Sequence, residues 1–159
     1  MKELYYPIAI KLKGRTAVIV GGGQVAERKA QTLLEFGARV RVISPKLTVG
    51  LQKLFRYRRI TWTRRVVQSS DIKGADIVIA ATSDVTVNKN LSKLAKGAGI
   101  QVNVVDNPAL CSFISPAVFR AGGAVVAVYT HGRDPVLSRD IKNFLREQWD
   151  VFLSYRNRS

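Results

Sequence analysis

Thr16-Ala17-Val18-Ile19-Val20 runs without interruption into Gly21-Gly22-Gly23-Gln24-Val25-Ala26. An apolar, β-branched run followed by a glycine cluster and then a helical pattern is the order that a dinucleotide-binding βαβ unit requires. Gly21 permits the tight turn out of the strand. Gly23 lets backbone approach a pyrophosphate, and Ala26 supplies the small third residue where the helix packs on the strand. The helix N-terminus offers N–H groups and partial positive charge to phosphate. Val25, Ala26, Ala30, Leu33 and Leu34 recur near helical spacing, with Glu27, Arg28, Lys29 and Gln31 between them. Gly37 is expected to stop this helix, and Arg39-Val40-Arg41-Val42-Ile43 then alternates as a strand. Strand, turn, helix and strand fit within about thirty residues, as the motif demands. The competing account is an α/β chain whose glycines do no more than turn the backbone.

The rest of the chain repeats the alternation. The patterns predict a short helix over 47–57, a strand at Ile60–Arg64 and a doubly buried strand at Asp76–Ala81. A helix over 86–97, a strand at Ile100–Val105, a strand at Ala124–Tyr129 and a last helix over 135–156 follow. Alternating strands and helices imply an α/β, Rossmann-like, doubly wound and mostly parallel sheet, with a C-terminal helical segment. Ligands of such sheets bind outside the carboxyl ends of the strands. That rule selects the loops Gly21–Ala26, Ser44–Lys46, Thr82–Asp84, Asp106–Cys111 and Thr130–Asp134. The expected division is a nucleotide-binding part at 1–115 and a strand plus helix at 116–159.

Composition limits the alternatives. A chain of 159 residues with 47% hydrophobic and 23% charged residues is an ordinary globular domain. No apolar stretch reaches bilayer-spanning length, and Met1–Pro7 has no signal-peptide core. Cys111 is the single cysteine, which excludes an internal disulfide and a cysteine metal cluster. A cytoplasmic protein is expected. The net charge of +15 is unusual and suits a polyanionic ligand. Its densest run, Arg56, Arg58, Arg59, Arg64 and Arg65 with Tyr57 and Trp62, superficially resembles a nucleic-acid patch. A solvated helix end and strand face is the favoured reading, since no nucleic-acid motif accompanies it. Neither a nucleic-acid nor a membrane partner is expected.

Several of the selected loops together resemble one family. Gly21-Gly22-Gly23-Gln24-Val25-Ala26-Glu27-Arg28-Lys29 is similar to its G-G-G-x-V-A-x-R-K opening. Ala80-Ala81-Thr82-Ser83-Asp84 resembles its A-A-T-x-D loop. Asn103-Val104-Val105-Asp106-Asn107-Pro108-Ala109-Leu110-Cys111-Ser112-Phe113 resembles its N-V-V-D-x-P-x-L-C-x-F segment, which is far more specific than the glycine motif. Pro116-Ala117 and Asp134–Arg139 match later elements loosely. The family is precorrin-2 dehydrogenase, also found as the N-terminal module of siroheme synthase. The resemblance covers most of residues 7–150. It implies NAD as cofactor, oxidation of precorrin-2 to sirohydrochlorin, and a homodimer, with 116–159 contributing to dimerisation and the substrate site. Some members also insert ferrous iron. Many carry a further helical region, so this chain is expected to be a short form.

The resemblance implies that Asp106 is the catalytic base. On its own chemistry it is equally a turn former in Asp106-Asn107-Pro108. The cofactor set is Gly21, Gly22, Gly23, Gln24, Val25, Ala26, Ser44, Pro45, Thr82, Ser83 and Asp84, although Asp84 by itself suits a helix cap. Thr82 and Ser83 are expected to reach the ribose or pyrophosphate. Asn103, Arg120, His131 and Arg133 are candidates for the tetrapyrrole substrate, with Arg139 a further cation. For His131, the sole histidine, a surface-loop residue is the favoured reading over a proton shuttle, and Cys111 reads as a small buried one. Ser44, Pro45 and Lys46 stand where NAD enzymes often place a ribose-binding acid, and Lys46 and Arg41 would tolerate a 2′-phosphate. The residues themselves leave NAD and NADP open. Rival functions are a bifunctional dehydrogenase and ferrochelatase, a non-catalytic NAD sensor and, last, a nucleic-acid binder.

Overall fold

A computed structural model describes residues 5–105 and 107–156. The chain divides into two compact units. One spans Pro7–Phe113, and the other comprises Ile114 onward together with Tyr5 and Tyr6.

The first unit is a five-stranded parallel sheet in the order β3-β2-β1-β4-β5. Its strands are β1 (Thr16–Val20), β2 (Arg39–Ile43), β3 (Ile60–Thr63), β4 (Ile77–Ala80) and β5 (Gln101–Val104). Helices α1 (Gln24–Glu35), α2 (Val49–Arg56) and α3 (Val85–Gly97) make the connections. The α/β, doubly wound expectation is met. The central strands β1 and β4 are apolar because both faces are covered: Val18, Ile19, Val78 and Ile79 are at most 1% exposed. Ala26 and Ala30 of α1 are fully buried, where only a methyl group fits between helix and sheet. Gly37 takes φ +80 just past α1, where a side chain would strain the backbone. At the opposite edge, Asp76 accepts from the Thr16 N–H at 2.8 Å and from Arg15 Nη1 at 2.6 Å. This ties the starts of β1 and β4 and holds the Asp76 carboxyl below its ordinary range, the Thr16 bond first and the Arg15 bond second.

The order reverses between β1 and β4, because the chain first builds outward to β3 and then returns to β1's other side. Such a switch point opens a crevice at the carboxyl ends of the strands.

The second unit corrects one expectation. Ala124–Val128 (β7) does not join the parallel sheet; it pairs antiparallel with Ala117–Ala121 (β6) in a separate two-stranded sheet. The cause is Gly122-Gly123. Both adopt positive φ, +54 and +80, which suits a tight two-residue hairpin turn. The Thr130–Asp134 loop therefore follows a strand of the two-stranded sheet, not one of the five-stranded sheet. The last helix is also two helices, α4 (Pro135–Glu147) and α5 (Trp149–Arg156). They break at Gln148, beyond which Trp149 packs edge-on against Phe119 at 5.7 Å. Asp134 caps α4, its carboxylate accepting from the Leu137 N–H at 2.7 Å, and Pro135 occupies the first turn where no N–H is needed. Among the described residues no helix is long and apolar enough to cross a membrane.

Candidate functional site

The crevice at the switch point is a cleft of about 620 Å³, within the usual range for small-molecule sites. A smaller cavity of about 380 Å³ lies at the amino ends of the strands around Arg15 and Asp76, the end that such sheets do not use for ligands.

The glycine loop forms the floor of the larger cleft, and each glycine has its own reason. Gly21 sits at φ +123, and a Cβ there would overlap the Ala81 carbonyl. At Gly22 a Cβ would overlap the Lys46 carbonyl and come within 2.7 Å of Ser44 Oγ. Gly23 differs, because no atom lies within 4 Å of a Cβ built on it. Crowding inside the protein explains the first two glycines. The third leaves room on the cleft side. Gly23 is also the N-cap of α1 and provides no side-chain cap, so the first-turn N–H groups have no side-chain acceptor from that residue. An open backbone surface at a twelve-residue helix N-terminus fits a dinucleotide pyrophosphate. Gln24 and Val25 line the cleft there, while Ala26 is buried against the sheet.

The loop after β2 forms one wall. The Thr48 N–H donates to the Gly22 carbonyl at 2.9 Å, clamping this loop against the glycine turn. Thr48 Oγ1 donates to Glu27 Oε2 at 2.5 Å, so the α1 acid anchors the start of α2. A side chain at Gly50 would collide with the same carboxylate. Ser44 is 8% exposed; its hydroxyl donates to the Lys46 carbonyl at 2.8 Å and its carbonyl accepts from Trp62 Nε1 at 2.9 Å. Ser44 and Pro45 both line the cleft.

The loop after β4 forms the other wall. Thr82 Oγ1 donates to Asn88 Oδ1 at 2.8 Å, and Asn88 Nδ2 returns a bond to the Thr82 carbonyl at 2.9 Å. Thr82 thus sets the loop's shape as well as lining the cleft. Ser83 is exposed at the rim. Asp84 caps α3, accepting at Oδ1 from the Thr86 and Val87 N–H groups at 2.8 and 3.0 Å.

Arg65, Val66 and Val67 also line the cleft, on a loop that was not among those selected from the sequence. They follow β3, so the carboxyl-end rule, applied to that strand as to the others, would have found them. Arg65 donates from Nη1 and Nη2 to the two Asp71 oxygens at 2.7 and 2.8 Å. This bidentate pair, with the Gln68 N–H, holds the Asp71 carboxyl below its ordinary range and raises the Arg65 guanidinium. Asn88 also escaped notice, because nothing in the helical pattern of 85–97 distinguishes its position.

The remaining candidates divide between the two units. In the first, Asn103 is buried. Its Nδ2 donates to the Phe113 carbonyl at 3.1 Å and lies 3.5 Å from Cys111 Sγ. Burial pushes the Cys111 thiol up. Lys29 on α1 has its ammonium pushed down to about 8 by burial and by Arg28 beside it. Asp106 lies outside the described residues; Val105, which precedes it, lines the cleft. The second unit carries Arg120, His131 and Arg133. Arg120 and Arg133 are exposed. His131 sits at φ +52, its ring edge-on to Tyr129 at 5.1 Å and its Nδ1 accepting a long 3.4 Å bond from the Tyr5 N–H.

A strand, an uncapped glycine turn and a cleft at the switch point describe a dinucleotide site, and residues 8–117 match the family described as putative NAD(P)-binding. The chain belongs to that family. It is 43% identical over 145 residues to a siroheme synthase of Pseudomonas aeruginosa, covering 91% of this chain and 31% of the relative. A siroheme synthase of Ectopseudomonas mendocina is 45% identical over 138 residues, covering 87% and 29%. The chain thus spans about a third of the length of these curated relatives. Among solved structures it is similar to SirC, precorrin-2 dehydrogenase, at 26% identity and a TM-score of 0.71, covering 91% of this chain and 71% of the other. These likenesses bear out the family resemblance read from the loops.

Proposed function

We propose that this chain oxidises precorrin-2 to sirohydrochlorin with NAD as hydride acceptor. The observation that carries the reading is the open Gly23 backbone at the N-terminus of α1, in a cleft at the switch point of a chain similar to SirC, precorrin-2 dehydrogenase.

Gly23, Gln24 and Val25 hold the pyrophosphate by backbone N–H groups, where α1 contributes its positive end. Ser44 and Pro45 wall the adenosine side, and Thr82, fixed by Asn88, bounds the nicotinamide side. Bound there, NAD would supply the acceptor for a hydride leaving the substrate carbon. Loss of a hydride from carbon must be matched by loss of a proton, and Asp106 is the base that takes it. Asn103 orders the segment after β5 through its bond to Phe113. Arg120, His131 and Arg133 bind substrate carboxylates, and the net charge of +15 draws a polycarboxylate toward the protein. Residues 114–156 contribute to a homodimer. Their exposed Val136, Phe144, Val151 and Phe152, each at least 50% exposed, support that role.

The test is Asp106→Ala. Turnover of precorrin-2 is lost while NAD binding, followed by calorimetry, remains. Full activity in the variant contradicts the assignment of the base. Iron insertion into supplied sirohydrochlorin, above the uncatalysed rate, would extend the activity to a second reaction.

A further inference from the structure

Of the basic run, Arg65 lines the cleft, whereas Arg56, Arg58, Arg59 and Arg64 do not. Between Glu35 and Asp71 the sequence holds nine Lys and Arg residues and no Asp or Glu. Lys53, Arg56, Arg58, Arg59 and Arg64 are exposed around the end of α2 and the strand β3, and none has a carboxylate partner among the described residues. Aromatic side chains lie among them. Phe55 and Trp62 meet edge-on at 5.5 Å, the Arg64 guanidinium sits over the Trp62 ring at 5.7 Å, and Tyr57 is 69% exposed. β3 is also the edge of its sheet. It pairs with β2 on one side, and among the described residues no strand pairs with the other.

Two of these arginines break the usual rules of a helix end. α2 closes with the Arg58 N–H donating to the Phe55 carbonyl and the Arg59 N–H to the Leu54 carbonyl, each at 2.9 Å. In such a cap the first residue takes left-handed backbone and is ordinarily glycine, and the second is often apolar. Here the first is Arg58 at φ +54 and the second is the exposed Arg59. The helix dipole accounts for Lys53 and Arg56 in the last turn, but it does not require an arginine in left-handed backbone. A local rule broken without a local gain points to a function for the side chain.

We infer that the open edge of β3, with Arg59 before it and Arg64 after it, docks an extended acidic segment of a partner protein, which adds as a further strand. The edge supplies backbone groups that only another polypeptide strand pairs, and the cations select its charge. A second copy of this chain does not fit, because it brings the same cations to the same edge. A nucleic acid uses the charge and the rings but leaves the strand edge unpaired.

Binding of labelled probes to the full chain at low salt tests this. The strand probe is a peptide of about eight alternating Glu and Thr residues. The controls are an acidic peptide of equal charge with Pro in place of Thr, which cannot add as a strand, and an oligothymidylate of equal charge. The Glu–Thr peptide is expected to bind at least about tenfold more tightly than either control, and to slow amide exchange over Ile60–Arg64. Arg58→Gly relieves the left-handed backbone, so it leaves Tm unchanged or higher while weakening the peptide about threefold. Arg58→Glu combined with Arg59→Glu weakens the peptide at least about tenfold and leaves NAD⁺ binding unchanged. Equal binding of the proline peptide reduces the patch to unspecific charge. Tighter binding of oligothymidylate makes it a nucleic-acid surface, and no binding at all leaves the cations as guards of an exposed edge. Each of these results overturns the inference, as does an unchanged peptide affinity in the doubly substituted chain.

Discussion

Single residues carry the cofactor argument, and the three glycines of the turn separate structural need from ligand need. Gly21 and Gly22 are crowded by the backbone of neighbouring loops, whereas Gly23 faces open space at φ −86. Gly21→Ala combines a left-handed backbone with a collision at Ala81, so it destabilises the protein by about 1–3 kcal/mol or more. Gly23→Ala meets neither penalty. It folds with an unchanged Tm yet binds NAD at least about tenfold more weakly, because its methyl group occupies the pyrophosphate's approach. Unimpaired binding in Gly23→Ala would remove the pyrophosphate from this turn. The glycine cluster was legible in the sequence, but its division of labour was not. That division depends on the Ala81 and Lys46 carbonyls, which arrive from sixty and twenty-four residues away along the chain.

At the scale of elements, legibility followed the source of each element's stability. Strands β1, β4 and β5 and helices α1 and α3 were read to within a residue or two, because buried apolar runs and glycine stops encode them locally. Strand β6 was not read. Its Ala117–Ala121 segment contains Arg120 and has little apolar contrast, and its pairing depends on the Gly122-Gly123 turn. The break between α4 and α5 was missed for a related reason. The apolar periodicity runs through Gln148, and what marks the break is Trp149 packing on Phe119 of a distant strand. The Arg65–Asp71 pair belongs to this scale too, since it joins the end of β3 to the short 3-10 turn at Ser69–Ile72 and shapes the cleft wall. Its pH dependence has a definite sign. The folded state holds Asp71 ionised below its ordinary range, so the stability it contributes is present above about pH 4 and is lost as pH falls through the depressed folded value. Asp71→Asn should lower Tm at pH 7, with the gap to the wild-type chain closing on acidification. A gap that is the same at pH 7 and at about pH 3 would show that the charge on Asp71 contributes nothing.

For the molecule as a whole, the five-stranded unit builds a dinucleotide cleft, and the excess of positive charge suits the polycarboxylate proposed as substrate. The residues proposed for that substrate run from Asn103 to Arg133 with no shared motif, which is why they were far less legible than the cofactor turn, which is contiguous in sequence. The central claim is tested most directly by mixing the protein with NAD⁺ and enzymatically generated precorrin-2 in the absence of air and following the NADH and sirohydrochlorin absorbances together. The account predicts that both rise in equal molar amounts and that neither rises without protein. NAD⁺ binding with no growth of either absorbance would contradict it and leave a dinucleotide-binding chain without this dehydrogenase activity.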